Sequence, residues 1–407
     1  MATFIPPTVI AHSATTFLCM ALQRDRATLL AYAGLGLLGF VLNGLGPVLP
    51  NLQEELDLTR SEVARYPSLY AIGWLGMSAV GSRVAKRLGR DLSLRLSAVG
   101  LAGSAGLMGM ALNGLMVAVA ATLMGAAGAL MLIVAQAFLS DHHGKSAVAA
   151  ISEANAVASL AAIAGPLAVA IAIAAGVGWA GGFAVPAIVA GGLLGLGLTG
   201  SLPRSAARER LISSADDPDP PSNPWVWSWL GIVLVVSLEF AFVFWATDYM
   251  ESVGGVPEAA SAALTAMFFV GMAAARALGV PLMRWLDPRR RALLRALAVA
   301  GLGFALFWAA PLIAGTPVWA GLGLLVAGAG VAFLFPLSFL GLVAILVVGT
   351  EKASARAALA SGVAIGIAPL LLGVAADAFG LRTALLLIPM LILAAAANVA
   401  ATYPRES

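Results

Sequence analysis

One cysteine, Cys19, serves the whole chain, so neither a disulfide framework nor a thiolate metal site can be drawn from it. Charge is scarce too. Asp, Glu, Lys and Arg make up 11% of the residues against 61% hydrophobic, whereas a soluble globular domain carries about 25% charged residues. That shortage excludes an ordinary water-facing surface. The phosphate-binding pattern of Gly, four residues, then Gly-Lys-Ser/Thr is absent, so no ATPase domain is encoded. No constellation of His, Cys or Ser lies in the apolar segments, which argues against a membrane enzyme. The net charge of +3 gives no reason to expect nucleic acid as a partner. No metal or cofactor is expected.

What the chain has instead is long apolar runs. A bilayer-spanning helix needs roughly 20 apolar residues. Twelve such segments can be counted, at 27–50, 63–83, 92–112, 115–139, 146–174, 180–200, 225–249, 258–280, 291–313, 317–348, 355–376 and 382–403. Their 45 glycines and many alanines suit close helix packing in lipid. The fold class expected is an all-α polytopic membrane protein. With residue 24 on the cytoplasmic side, 19 Lys or Arg fall in cytoplasmic loops and termini. Arg60, Arg65 and Arg382 fall outside, and Arg276 falls in a helix. The positive-inside rule then puts both termini in the cytoplasm of a cell (inner or plasma) membrane.

Residues 1–23 read as an N-terminal cytoplasmic extension. The apolar stretch 14–22 has no basic residue before it and no small-residue cleavage site after it, which argues against a signal peptide. Met20 is an alternative start. Residues 203–224 are proline-rich, of mixed charge, and read as a linker. It separates a first half, 24–202, from a second, 225–407, of six helices each. The halves echo each other. Basic loops at 82–95 and 284–295 follow the second and eighth segments, and Gly165-Pro166 corresponds to Ala368-Pro369. Same-orientation repeats of six helices place a transport site between the halves near mid-membrane.

Three charges interrupt the apolar runs: Glu153, Glu239 and Arg276. An ionisable group near a helix centre costs about 2.5–3.5 kcal/mol on insertion scales, and chains that keep one generally use it. Glu239 falls near mid-membrane and is the expected proton carrier, with Glu153 as a second candidate. Phe242, Ala246 and Tyr249 share its face at helical spacing. Asn43, Gln136, Asn155 and Ser159 are candidate pathway residues, with hydrogen bonding between helices as the alternative role. Pro336 is expected to kink the tenth helix. Asp141-His142-His143-Gly144 is a chance match to an acyltransferase motif. Seven acids, Glu54, Glu55, Asp57, Glu62, Asp248, Glu251 and Glu258, read as solvated loop charges.

The stretch Ser82-Arg83-Val84-Ala85-Lys86-Arg87-Leu88-Gly89-Arg90, with twelve helices and a central linker, resembles the major facilitator superfamily. Its loop motif is Gly, an apolar pair, Asp, Arg, any residue, Gly, Arg. Here Arg87, Gly89 and Arg90 keep the pattern, while Ser82 replaces the first Gly and Lys86 replaces the Asp. In the family that Asp anchors a charge network closing the cytoplasmic side, and a lysine cannot accept those hydrogen bonds. Ala121, four residues before Gly125, stands where drug–proton antiporters carry an Arg. Gly165-Pro166 keeps half of an antiporter motif. Glu239, Trp245, Tyr249 and Arg276 look like sugar-permease-like branches.

The resemblance implies a monomeric secondary active transporter that moves a small-molecule solute through the lipid bilayer by alternating access. It also implies that the fifth and eighth helices meet between the halves, where Glu153 and Arg276 would bridge when the cytoplasmic side closes. Coupling to protons and a slight preference for export are expected. The alternatives are proton-coupled import of a sugar-like or polar metabolite, and a transport-inactive receptor or scaffold.

Overall fold

In the computed structural model the described residues are 24–197, 224–278, 289–346 and 350–403, and they form helices joined by short turns, with no strand among them. The expected linker at 203–224 and residues 1–23, with Met20, fall outside the described residues apart from Pro224 at the linker's edge. The first half holds α1 (Arg26–Glu55), α2 (Arg65–Leu88), α3 (Arg90–Gly109), α4 (Gly114–His143), α5 (Ala147–Ala174) and α6 (Trp179–Gly197). The second holds α7 (Pro224–Ser252), α8 (Glu258–Ala277), α9 (Arg289–Ala309), α10 (Thr316–Val331 and Leu334–Leu346), α11 (Thr350–Phe379) and α12 (Leu381–Ala384 and Leu387–Thr402). Eleven of the twelve are both long and apolar enough to cross a membrane. The other, α2, has the length, but its apolar stretch is closed in by Arg65 at one end and Arg83, Lys86 and Arg87 at the other.

Helix ends fall where capping chemistry stops the chain. The Asp25 carboxylate accepts the Thr28 amide at the start of α1, and Asn113 accepts the Met116 amide at the start of α4. Between α2 and α3 the chain turns at Gly89 with φ +81, a backbone region open to glycine at little cost.

The repeat seen in the sequence is visible in the packing. In the first half α1 packs on α5, α2 on α4 and α3 on α6; in the second, α7 packs on α11, α8 on α10 and α9 on α12. The halves meet through α1 against α7, α5 against α8 and α2 against α11. At the α1–α7 crossing, Gly46 lies against the carbonyl of Val243, so closely that a side chain there would collide with backbone.

One end of the bundle carries Arg24, Arg26, Arg83, Lys86, Arg87, Arg90 and Arg289 at or near the ends of its described helices; we call it the basic face. The other end carries Glu54, Glu55, Asp57, Glu62, Glu251, Glu258 and Asp377 and only three cations, and is the acidic face.

Candidate functional site

Glu239 sits in α7, 15 positions beyond Pro224 (239 − 224), or about 22 Å along the helix at 1.5 Å per residue. It is half-buried, with protein packed densely around its carboxyl. The charged group whose field reaches it is Arg276 of α8.

Arg276 is held by backbone as much as by charge. Its Nε donates to the carbonyl of Ala332 at 3.3 Å, and its Nη1 donates to the Ser159 hydroxyl of α5 at 3.4 Å. Pro336 explains why that carbonyl is free. Proline has no N–H to give to the carbonyl four residues earlier, so α10 breaks at Ala332 and Phe333 and resumes at Leu334. The expected kink is therefore present, displaced one turn ahead of the proline. The guanidinium thus joins three elements: α5 of the first half, the break in α10, and by its field the carboxyl on α7.

The expected Glu153–Arg276 bridge is not formed in this conformation. Glu153 accepts from Arg24 at 2.6 and 2.9 Å and from the Tyr32 hydroxyl at 3.2 Å. Arg276 meets α5 at Ser159, six residues or about 9 Å further along the helix than Glu153. In this conformation Glu153 is engaged by Arg24, and the charge whose field reaches Glu239 is that of Arg276.

Two proposed pathway residues are placed elsewhere. Phe242 and Tyr249 are each 1% exposed. Phe242 packs among Phe268, Phe304 and Phe307, and the Tyr249 hydroxyl donates to the Trp308 carbonyl at 2.7 Å. They belong to the core of the second half and do not line a passage. The Asn43 amide donates to the Gly39 carbonyl of its own helix at 2.8 Å. Gln136 is half-buried in α4, and Asn155 is exposed on α5, with its carbonyl accepting from the Ser159 hydroxyl at 2.8 Å.

On the basic face the loop motif works within the first half. Arg90 pairs with Asp141 at the end of α4, while Lys86 and Arg87 are exposed. The adjoining His142 pairs with Asp25 at 2.8 Å, His143 meets the Thr28 hydroxyl at 2.9 Å, and Gly144 turns the chain with φ +51. Each member of that four-residue stretch thus has a structural task.

The sequence reading missed the acidic face. Arg60, in the short turn between α1 and α2, grips Asp248 of α7 with Nε at 2.8 Å and Nη2 at 3.1 Å. The hydrogen bond to Asp248 raises the Arg60 pKa above its ordinary value. The amides of Arg60 and Ser61 both donate to Asp377 of α11, at 3.0 and 2.9 Å. The Ser68 hydroxyl donates to the Gly366 carbonyl at 2.6 Å. Asp248, at 6% exposed, is not a solvated loop charge. The available signal was that Arg60 is one of three cations in an acidic set of loops. Among the described residues, Arg60–Asp248 is the ion pair that joins the halves; Arg24–Glu153, Arg90–Asp141, Arg95–Asp91 and His142–Asp25 all lie within the first.

The sequence model of the Major Facilitator Superfamily matches residues 31–346. No curated protein sequence matches the chain. Solved structures of similar fold include a variant of the nucleoside transporter NupG, with a TM-score of 0.76 at 13% identity over 93% of this chain and 99% of that one. A D-xylose-proton symporter gives 0.74 at 17% identity, covering 93% and 98%. A bacterial homolog of the human lysosomal transporter Spinster, in an inward-facing and occupied conformation, gives 0.72 at 16% identity, covering 94% and 97%.

Proposed function

The chain belongs to the major facilitator superfamily, and from that premise we propose that it is a secondary active transporter of a small organic solute, coupled to protons through Glu239. The observation that carries this reading is the carboxyl of Glu239, half-buried deep in α7 within the field of Arg276. A charge kept at that depth is expensive unless it is used. A carboxyl that meets one aqueous side at a time can take up a proton on one side and release it on the other.

The acidic face is closed by contacts between the halves, which favours access to Glu239 from the basic face. The positive-inside rule assigns that face to the cytoplasm, and the similar Spinster homolog was captured inward-facing. Ser159, which Arg276 contacts, and Asn155 beside it on α5 are uncharged, and Glu239 and Arg276 are opposite in sign. That balance favours a solute without net charge. The similar folds that carry a nucleoside or xylose support the same reading.

The test is uptake by proteoliposomes under an imposed pH gradient, run over a panel of sugars, nucleosides, amino acids and lipophilic amines. A solute that accumulates in response to the gradient supports the proposal, and the sign of the response gives the direction. Export by antiport requires solute to move against the proton flow. Binding of a solute, detected by protection against heat, without gradient-driven movement of any solute in the panel would contradict it.

A further inference from the structure

The acidic-face contacts are built so that one short turn of the first half holds two carboxylates of the second. We infer that the 59–63 turn, with Arg60 as its hook, is the latch that keeps the transporter closed on the acidic face, and that this chain sets its resting conformation there. The inference rests on the alternating-access reading above.

The turn is preorganised. Asp57, leaving α1, takes φ +51, the one non-glycine residue with positive φ among those described. Thr59 and Glu62 then form a reciprocal cap: the Thr59 amide donates to Glu62 Oε2 at 2.9 Å and the Glu62 amide donates to Thr59 Oγ1 at 3.3 Å. The rigid turn presents two consecutive amides to Asp377 and the forked guanidinium to Asp248. Two parallel N–H bonds to one carboxylate give both strength and fixed geometry, which a lysine could not reproduce.

The surroundings make the hook matter. A cavity of about 490 Å³ opens beside the pair, lined among others by Glu54, Asp57, Asp248 and Glu251. Arg60 is the cation that pairs with Asp248 in this group. Without it, Asp248 would stay nearly buried and unpaired beside other carboxylates, a situation that strongly favours separation. Separation of α7 from the turn is the motion that opens the acidic face.

On the basic face the ion pairs Arg24–Glu153, Arg90–Asp141, Arg95–Asp91 and His142–Asp25 stay within the first half, and Lys86 replaces the acid that would anchor a network there. A lock on the acidic face biases the resting protein toward closure there.

The experiment uses the full chain with Cys19→Ser, carrying Ser68→Cys on the α2–α11 contact just inside the latch, and measures the labelling rate with a membrane-impermeant maleimide. Arg60→Ala is expected to raise the rate at least tenfold, and Arg60→Lys to raise it by a smaller factor. The exchanged pair, Arg60→Asp with Asp248→Arg, should return the rate to within about threefold of the starting protein. Should Arg60→Ala fail to fold, Asp377→Asn reports on the second carboxylate and should raise the rate in the same direction. An unchanged rate in Arg60→Ala, or a rise that the exchange does not repair, overturns the latch. No solute or gradient enters the measurement. A flat result therefore counts against the latch alone, while a normal latch without gradient-driven transport counts against the proposed function alone.

Discussion

Glu239 and Arg276 stand out in the sequence because each is a charge where the neighbours are apolar, and both keep that distinction in the folded chain. Their relation to one another was not legible. Depth counted along two separate helices ignores how far each is displaced along the bundle axis, and in this conformation Arg276 meets α5 at Ser159 rather than at Glu153. Helical spacing also identified Phe242 and Tyr249 as sharing a face near Glu239. Spacing reports which residues lie together, but in a membrane protein the core-facing and lipid-facing sides are both apolar, so it does not say which side meets a passage. Gly46 shows the same limit in reverse. Nothing in its local sequence marks it, yet it lies against the Val243 carbonyl of the other half. Gly46→Ala must push α1 from α7, and overpacking of this kind costs about 1–3 kcal/mol. The unfolding temperature of the purified protein should fall and the acidic face should open. An unchanged unfolding temperature would contradict the close contact.

At the scale of the element, the sequence was most legible where a helix is long and apolar and least where it is interrupted. The helices begin and end within about five residues of the expected positions, the larger overruns being α1 past Pro47 and Pro50 to Glu55, α2 to Leu88 and α11 starting at Thr350. The break in α10 follows from Pro336 by simple hydrogen-bond accounting, but its filling does not. The carbonyl freed at Ala332 is taken by Arg276 from another helix, a contact 56 residues away in the chain. Pro336→Ala restores the missing N–H, lets α10 run straight and leaves Arg276 without that acceptor. Since an interior proline destabilises a helix by about 3 kcal/mol, the variant should be as stable as the parent or more so, while initial rates of solute uptake fall at least tenfold. Full transport by a more stable variant would show that the break is not used.

For the whole molecule, two six-helix halves and the uneven charge of the two faces could both be read from the sequence, because each is a sum over many residues. The closure of the acidic face could not. Arg60 and Asp248 are 188 positions apart, and Arg60 and Asp377 are 317 apart. Such pairings arise only once the halves have docked. The central claim is that a proton carried on Glu239 drives a solute between the two faces. The most direct measurement is solute-evoked proton movement into or out of proteoliposomes, recorded with an internal pH dye for the parent chain and for Glu239→Gln reconstituted to the same density. The account predicts a solute-dependent proton signal in the parent that is lost in Glu239→Gln, with solute binding retained. A proton signal of equal size in the variant would contradict it.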